Sequence, residues 1–262
     1  MFAKYAHHQE AQEQPTAESR PGNEEVRQEL KYRMLALPIA LVVARLGVST
    51  VPFLTRLLSM LVHETGHAVT AWLCGFGATP GIWFTPVSDD RSVWVTVMII
   101  AALGCIGFWA WQTKRPYMIV ACAAVLILQL ICTRLPYPQA QALIAFGGDG
   151  GSLVLGTLLM TTLYARRESR VYENSLRCGF LGIGAVAFMD AFATWTGIED
   201  DIPFGVQEGT QTDPSQLVEN YGWTIQLMIQ RYVRLGVICL IALAIVYVVG
   251  ILQTRKELKG AT

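Results

Sequence analysis

The residues with the clearest chemical potential are His63, Glu64 and His67, in the run Leu61-Val62-His63-Glu64-Thr65-Gly66-His67-Ala68-Val69. The pattern is H-E-x-x-H. Four residues apart on a helix, His63 and His67 leave from one face, so two imidazoles can reach one metal ion. Glu64 beside them is placed to take a proton from a metal-bound water. The pattern is short and also fits a helix with two hydrogen-bonded core histidines. Its surroundings favour the metal. Residues 51–76 read as an apolar span, where ionisable groups are expensive unless something partners them, and a Zn2+ ion does so while neutralising charge.

A catalytic zinc usually has three protein ligands and one water. Only His7 and His8 remain as further histidines, both in a polar N-terminal stretch that reads as solvated. The third ligand is therefore expected to be a carboxylate. Asp149 is the first choice, in Gly147-Gly148-Asp149-Gly150-Gly151, because flanking glycines let the backbone bend and other helices approach. The competing reading is a loop or helix-cap aspartate. Asp190, in Phe188-Met189-Asp190-Ala191, is the reserve third ligand, or a carboxylate that orients a histidine from behind. Its structural alternative is a pairing with Arg231, Arg234 or a helix end.

The elements that must position these groups are apolar. Hydrophobic residues make up 53% of the 262-residue chain and charged residues 15%, against about 25% charged in ordinary soluble domains. An all-α, polytopic transmembrane helical bundle is expected, with about six crossings. The formal net charge of zero suggests no nucleic-acid partner. Six cysteines, none in a C-x-x-C pair, read as small packing residues. No cleavable signal peptide is apparent.

In order, residues 1–33 form a polar, mobile tail, with a short helix possible near Asn23–Tyr32. The membrane domain covers 34–253, and 254–262 is a basic tail. Residues 34–50 are apolar but carry Pro38 and Arg45, and are short for a span. The motif helix follows from Pro52 to about Gly75, then a loop over 76–91. Spans are expected near 92–113, 117–133, 143–165, 176–196 and 223–253, with a short loop at 134–142. Residues 197–222 hold Glu199, Asp200, Asp201, Glu208, Asp213 and Glu219 and no basic residue, so they read as a solvated acidic loop. The positive-inside rule places Lys114-Arg115, the arginines of 166–177 and both termini in the cytoplasm, and the acidic loop outside. That arrangement requires one net crossing over 34–75, so 34–50 is expected to be interfacial or re-entrant. A plasma (inner) membrane location is expected.

His63-Glu64-Thr65-Gly66-His67-Ala68 within a span, and Asp149-Gly150 in a later one, resemble the site-2 protease family of intramembrane zinc metalloproteases. The compact branch, which lacks a soluble regulatory domain, is the most similar. The Asp190 helix, Glu199-Asp200-Asp201, and Thr212-Asp213-Pro214 before a final span with Trp223 also look like features of that branch. The resemblance covers roughly 52–253. It departs in having Gly-Gly-Asp-Gly where the family has Asn-Pro-Asp-Gly or Leu-Asp-Gly, and two apolar segments between the motifs rather than one. It implies zinc on His63, His67 and Asp149, Glu64 as general base, and hydrolysis of peptide bonds in membrane-embedded protein substrates. Two other classes stay open: a non-proteolytic membrane scaffold or chaperone of the same fold, and a metal or cation transporter using the same ionisable groups. Substrate identity and oligomeric state are not encoded in any recognisable signal.

Overall fold

A computed structural model describes residues 23–165, 169–173, 175–207 and 209–260. His7, His8, Arg166, Arg167 and Glu208 lie outside the described residues. Within them the chain is all-α apart from two short antiparallel hairpins.

Helix α1 runs unbroken over Asn23–Thr50, with Glu24 and Glu25 in its first turn and Pro38 inside it. Acidic side chains there complement the free N–H groups of the helix start. The polar tail expected to reach residue 33 therefore ends earlier, and 34–50 is the continuation of a helix rather than a separate short segment. Charged residues can be part of it because they are paired. Arg33 Nε donates to Glu29 Oε1 at 2.6 Å one turn away, and Arg177 donates to both oxygens of Glu29 at 2.5 and 3.0 Å.

One residue, Val51, separates α1 from α2, Pro52–Leu73. Proline is tolerated at a first helical position, where its missing N–H would have no partner. Gly75, at φ +84°, ends the turn after α2 in a conformation that other residues rarely adopt. The chain then makes a hairpin of β1, Phe76–Ala78, and β2, Val87–Arg91. The Trp72 indole donates to the Ala78 carbonyl at 2.9 Å and the buried Thr85 hydroxyl donates to the Glu64 carbonyl at 2.9 Å. This hairpin, inside what reads as a plain loop, is thus tied to the motif helix by two hydrogen bonds.

Helices α3, Val93–Gln112, and α4, Pro116–Cys132, pair chiefly with each other. Their apolar side chains stay largely exposed, Trp94 and Met98 among them, which suits helices surrounded by hydrocarbon. Helix α5 covers Tyr137–Thr161. It begins within the expected 134–142 loop because Pro136 caps it and Pro138 falls in its first turn, the place where proline is harmless. A short α6, Arg170–Glu173, leads to α7, Leu176–Thr196. The acidic 197–222 stretch is folded: it holds β3, Val206–Gln207, β4, Thr210–Gln211, and α8, Asp213–Glu219. Helix α9, Ile225–Gly260, runs well past the expected boundary at 253.

Five of the described helices are long and apolar enough to cross a membrane, within Glu24–Thr50, Val93–Gln112, Tyr137–Tyr164, Leu176–Thr196 and Ile225–Lys259; α4 is apolar but shorter, and the motif helix α2, expected as a span, is not among the five, whereas α1 is. Helix α5 is central, packed on α2, α7 and α9. It meets α2 and α7 at points of close backbone approach. A Cβ on Gly151 or Gly66 would run into the facing helix, and a Cβ on Gly156 would lie 2.8 Å from the Gly184 carbonyl oxygen. Close approach through small residues is how helices gain packing energy where lipid removes the hydrophobic drive.

Candidate metal centre

Four elements meet at one point. Helix α2 brings His63, Glu64 and His67, α5 brings Asp149, α7 brings Trp195, and α8 brings Asp213. The histidines share a face of α2 as their spacing predicts, with ring centroids 4.8 Å apart. His63 Nε2 and His67 Nε2 are 3.1 Å apart, and Asp213 Oδ2 is 3.1 Å from each. The three atoms form a nearly equilateral triangle.

The other ring nitrogens are occupied. His67 Nδ1 donates to the Ile144 carbonyl at 2.7 Å, and His63 Nδ1 faces Asp149 Oδ1 at 3.0 Å. A carbonyl only accepts, so the His67 proton is on Nδ1; an ionised Asp149 fixes the His63 proton in the same way. With both rings neutral, as metal ligation requires, both Nε2 atoms present lone pairs. Two imidazole lone pairs and a carboxylate oxygen face one another with no proton of their own to share. Such a set is repulsive until a cation occupies it. A tetrahedral ion bonded at about 2.0–2.1 Å holds its donor atoms about 3.3 Å apart, close to the spacing observed. Two imidazoles and one carboxylate also match the donor chemistry of Zn2+ sites that keep a fourth position for water or substrate. The residues fit the ion.

Asp213 is the donor the sequence did not single out for chemistry. It lies among the acids of 197–222 that read as a solvated loop, yet its helix is pinned down. Pro214, Ser215 and Leu217 are buried, Ser215 Oγ accepts the Gly205 N–H at 2.7 Å, and Thr212 Oγ1 donates to the Gly205 carbonyl at 3.2 Å. The available signal was Thr-Asp-Pro followed by a buried leucine, a helix start inside a stretch that otherwise reads as loop.

Asp149, the expected third ligand, sits instead on the Nδ1 side of His63, away from the shared triangle, where it orients the ring. Its second oxygen, Oδ2, accepts the Trp195 indole N–H at 2.7 Å. Asp190, the reserve candidate, meets neither histidine: it accepts the Ser59 hydroxyl, one turn before His63 on α2. Among the described residues neither Arg231 nor Arg234 forms an ion pair with it, and the Arg231 guanidinium lies over the Trp223 ring at 4.0 Å. Glu64, next to His63 in sequence, is buried, and the Thr85 hydroxyl braces its backbone.

The glycines around Asp149 each answer to a neighbour. A Cβ on Gly147 would strike Thr70, and one on Gly151 would strike Gly66. On Gly148 it would lie 2.5 Å from His63 Cε1 and from His67 Nε2. The space beside the imidazoles exists because that residue has no side chain. No family model, curated protein or solved structure matches the chain.

Proposed function

We propose that the protein is a membrane-embedded zinc metalloendopeptidase that hydrolyses peptide bonds in membrane-spanning protein substrates. The observation that carries this reading is the convergence of the His63 Nε2, His67 Nε2 and Asp213 Oδ2 atoms on the helix that carries Glu64. Zinc bound there would polarise the scissile carbonyl and lower the pKa of a water to about 7. The resemblance to site-2 proteases agrees with it, with Asp213 in place of Asp149 as third donor.

The chain's own residues account for the rest. His63, His67 and Asp213 hold the ion. Asp149 and the Ile144 carbonyl keep both imidazoles in the tautomer that leaves Nε2 free, the usual task of groups behind metal-ligating histidines. Glu64 takes a proton as the water oxygen adds to the carbonyl carbon, then gives it to the departing amine as the C–N bond breaks. A substrate helix hides its carbonyls in its own hydrogen bonds, so it must unwind before it reaches Glu64. The proposed setting is a multi-pass protein of the plasma (inner) membrane with both termini in the cytoplasm, following the arginine distribution.

Purified protein in detergent is the test, assayed for zinc content and for cleavage of single-span helices. One zinc per chain with cleavage supports the reading. Zinc without cleavage of any span favours the scaffold. Metal flux into sealed vesicles without cleavage favours the transporter.

A further inference from the structure

Behind the metal centre lies a chain of contacts that reaches a helix with no donor in it. The Trp195 indole N–H donates to Asp149 Oδ2 at 2.7 Å, and Asp149 Oδ1 faces His63 Nδ1 at 3.0 Å. Trp195 is 2% exposed. Its ring stacks on Tyr232 of α9, with centroids 4.0 Å apart, and Tyr232 stacks on Phe146 of α5 at 4.3 Å. The Tyr232 hydroxyl donates to the Phe146 carbonyl at 3.3 Å. The contacts close on themselves, because Phe146 and Asp149 are three residues apart on one helix. Gly150 belongs to this arrangement: a Cβ there would lie 2.9 Å from the Phe146 ring.

We propose that Trp195 is a positioning residue for the metal centre, acting through Asp149 to fix His63. A carboxylate with one partner can rotate about its Cβ–Cγ bond. Held at both oxygens by donors from α2 and α7, Asp149 has a single orientation, and it gives His63 a single tautomer and ring angle. Trp195 in turn cannot tilt, because Tyr232 and Phe146 clamp it. A tryptophan buried in a helical bundle needs a partner for its N–H, and here that partner is the one carboxylate that orients a donor histidine. The inference rests on the metal-site reading above. Trp195 touches neither the ion nor substrate, so its effect belongs in metal affinity.

The test is zinc affinity by chelator competition on the full chain in detergent, for wild type, Trp195→Phe, Asp149→Ala and the double variant. Groups behind metal-ligating histidines typically contribute about 10–100-fold in affinity. Trp195→Phe is expected to weaken zinc binding by about tenfold, and to have no further effect in the Asp149→Ala background. Replacing Trp195 by 3-benzothienylalanine, which keeps the shape and lacks the N–H, guards against a folding defect and should weaken zinc as Trp195→Phe does. An unchanged affinity in the isosteric variant, or an effect that persists without Asp149, overturns the inference, since packing alone would behave that way. A wild-type protein that binds no zinc overturns the metal-site reading itself, and this inference with it.

Discussion

Asp149 reaches His63 through Nδ1, at 3.0 Å, whereas the nitrogen that His63 turns towards His67 is Nε2. One imidazole thus separates two carboxylates with different tasks. Asp149 sets the ring, and Asp213 completes the donor triangle at 3.1 Å.

This division predicts unequal losses. Asp213→Ala should abolish tight zinc binding, because it removes a donor atom. Asp149→Asn keeps a hydrogen-bond acceptor near Nδ1 and should cost no more than the about 10–100-fold typical of an orienting partner. Chelator competition on both variants measures the difference. A larger loss in Asp149→Asn than in Asp213→Ala would return the third-ligand role to Asp149.

The helical periodicity placed His63 and His67 on one face, and the histidine count required an acid as third donor. Which acid was not legible. Asp149 has glycine neighbours that look suited to a ligand, but those glycines serve helix contacts and the imidazoles, as Gly147, Gly148 and Gly151 show. Asp213 lies 146 residues after His67 (213 − 67) among other acids, and only the tertiary docking of α8 against α5 selects it. Boundaries failed for a similar reason. Glu29, Arg33 and Arg177 look like solvated charges in a tail and a connector, but they neutralise one another in a buried group that lets α1 start at Asn23.

That buried group has its own consequence. Glu29 is 7% exposed and lies between two guanidinium groups. Glu29→Ala leaves Arg33 and Arg177 facing each other without their anion, and removing one partner of a buried pair costs about 3–5 kcal/mol. The midpoint of unfolding should fall, with zinc affinity of the folded fraction unchanged. Arg177→Ala should cost less, because Arg33 still neutralises Glu29. Equal midpoints for wild type and Glu29→Ala would show that the cluster contributes nothing net.

Gly148 offers a steric probe of the centre. The Cβ of Gly148→Ala would sit 2.5 Å from His63 Cε1 and His67 Nε2, well inside contact distance for carbon and nitrogen. The imidazoles must turn away and the donor triangle must open. Zinc content should fall sharply while helicity by circular dichroism stays at the wild-type level. Wild-type zinc affinity in Gly148→Ala would mean that the imidazoles do not converge beside α5 as the structure places them.

A substitution at Glu64 tests the proposed chemistry apart from metal binding. Glu64 lies between the two donor histidines on α2, and Thr85 braces its backbone carbonyl rather than its carboxylate. A carboxylate at this place can accept a proton and release it, which is what peptide hydrolysis needs twice per turnover: once from water, once towards the leaving amine. Glu64→Gln has nearly the same shape and no proton-accepting oxygen of comparable basicity. The donor triangle does not include Glu64, so zinc content should equal that of wild type. Cleavage of a single-span helix should fall by at least the about 10²–10⁴-fold that general acid–base catalysis supplies. Thr85→Val, which removes only the brace on the Glu64 backbone, should give a smaller loss with zinc again unchanged. Retained cleavage in Glu64→Gln would remove Glu64 as the base and leave the metal centre with a role other than proteolysis.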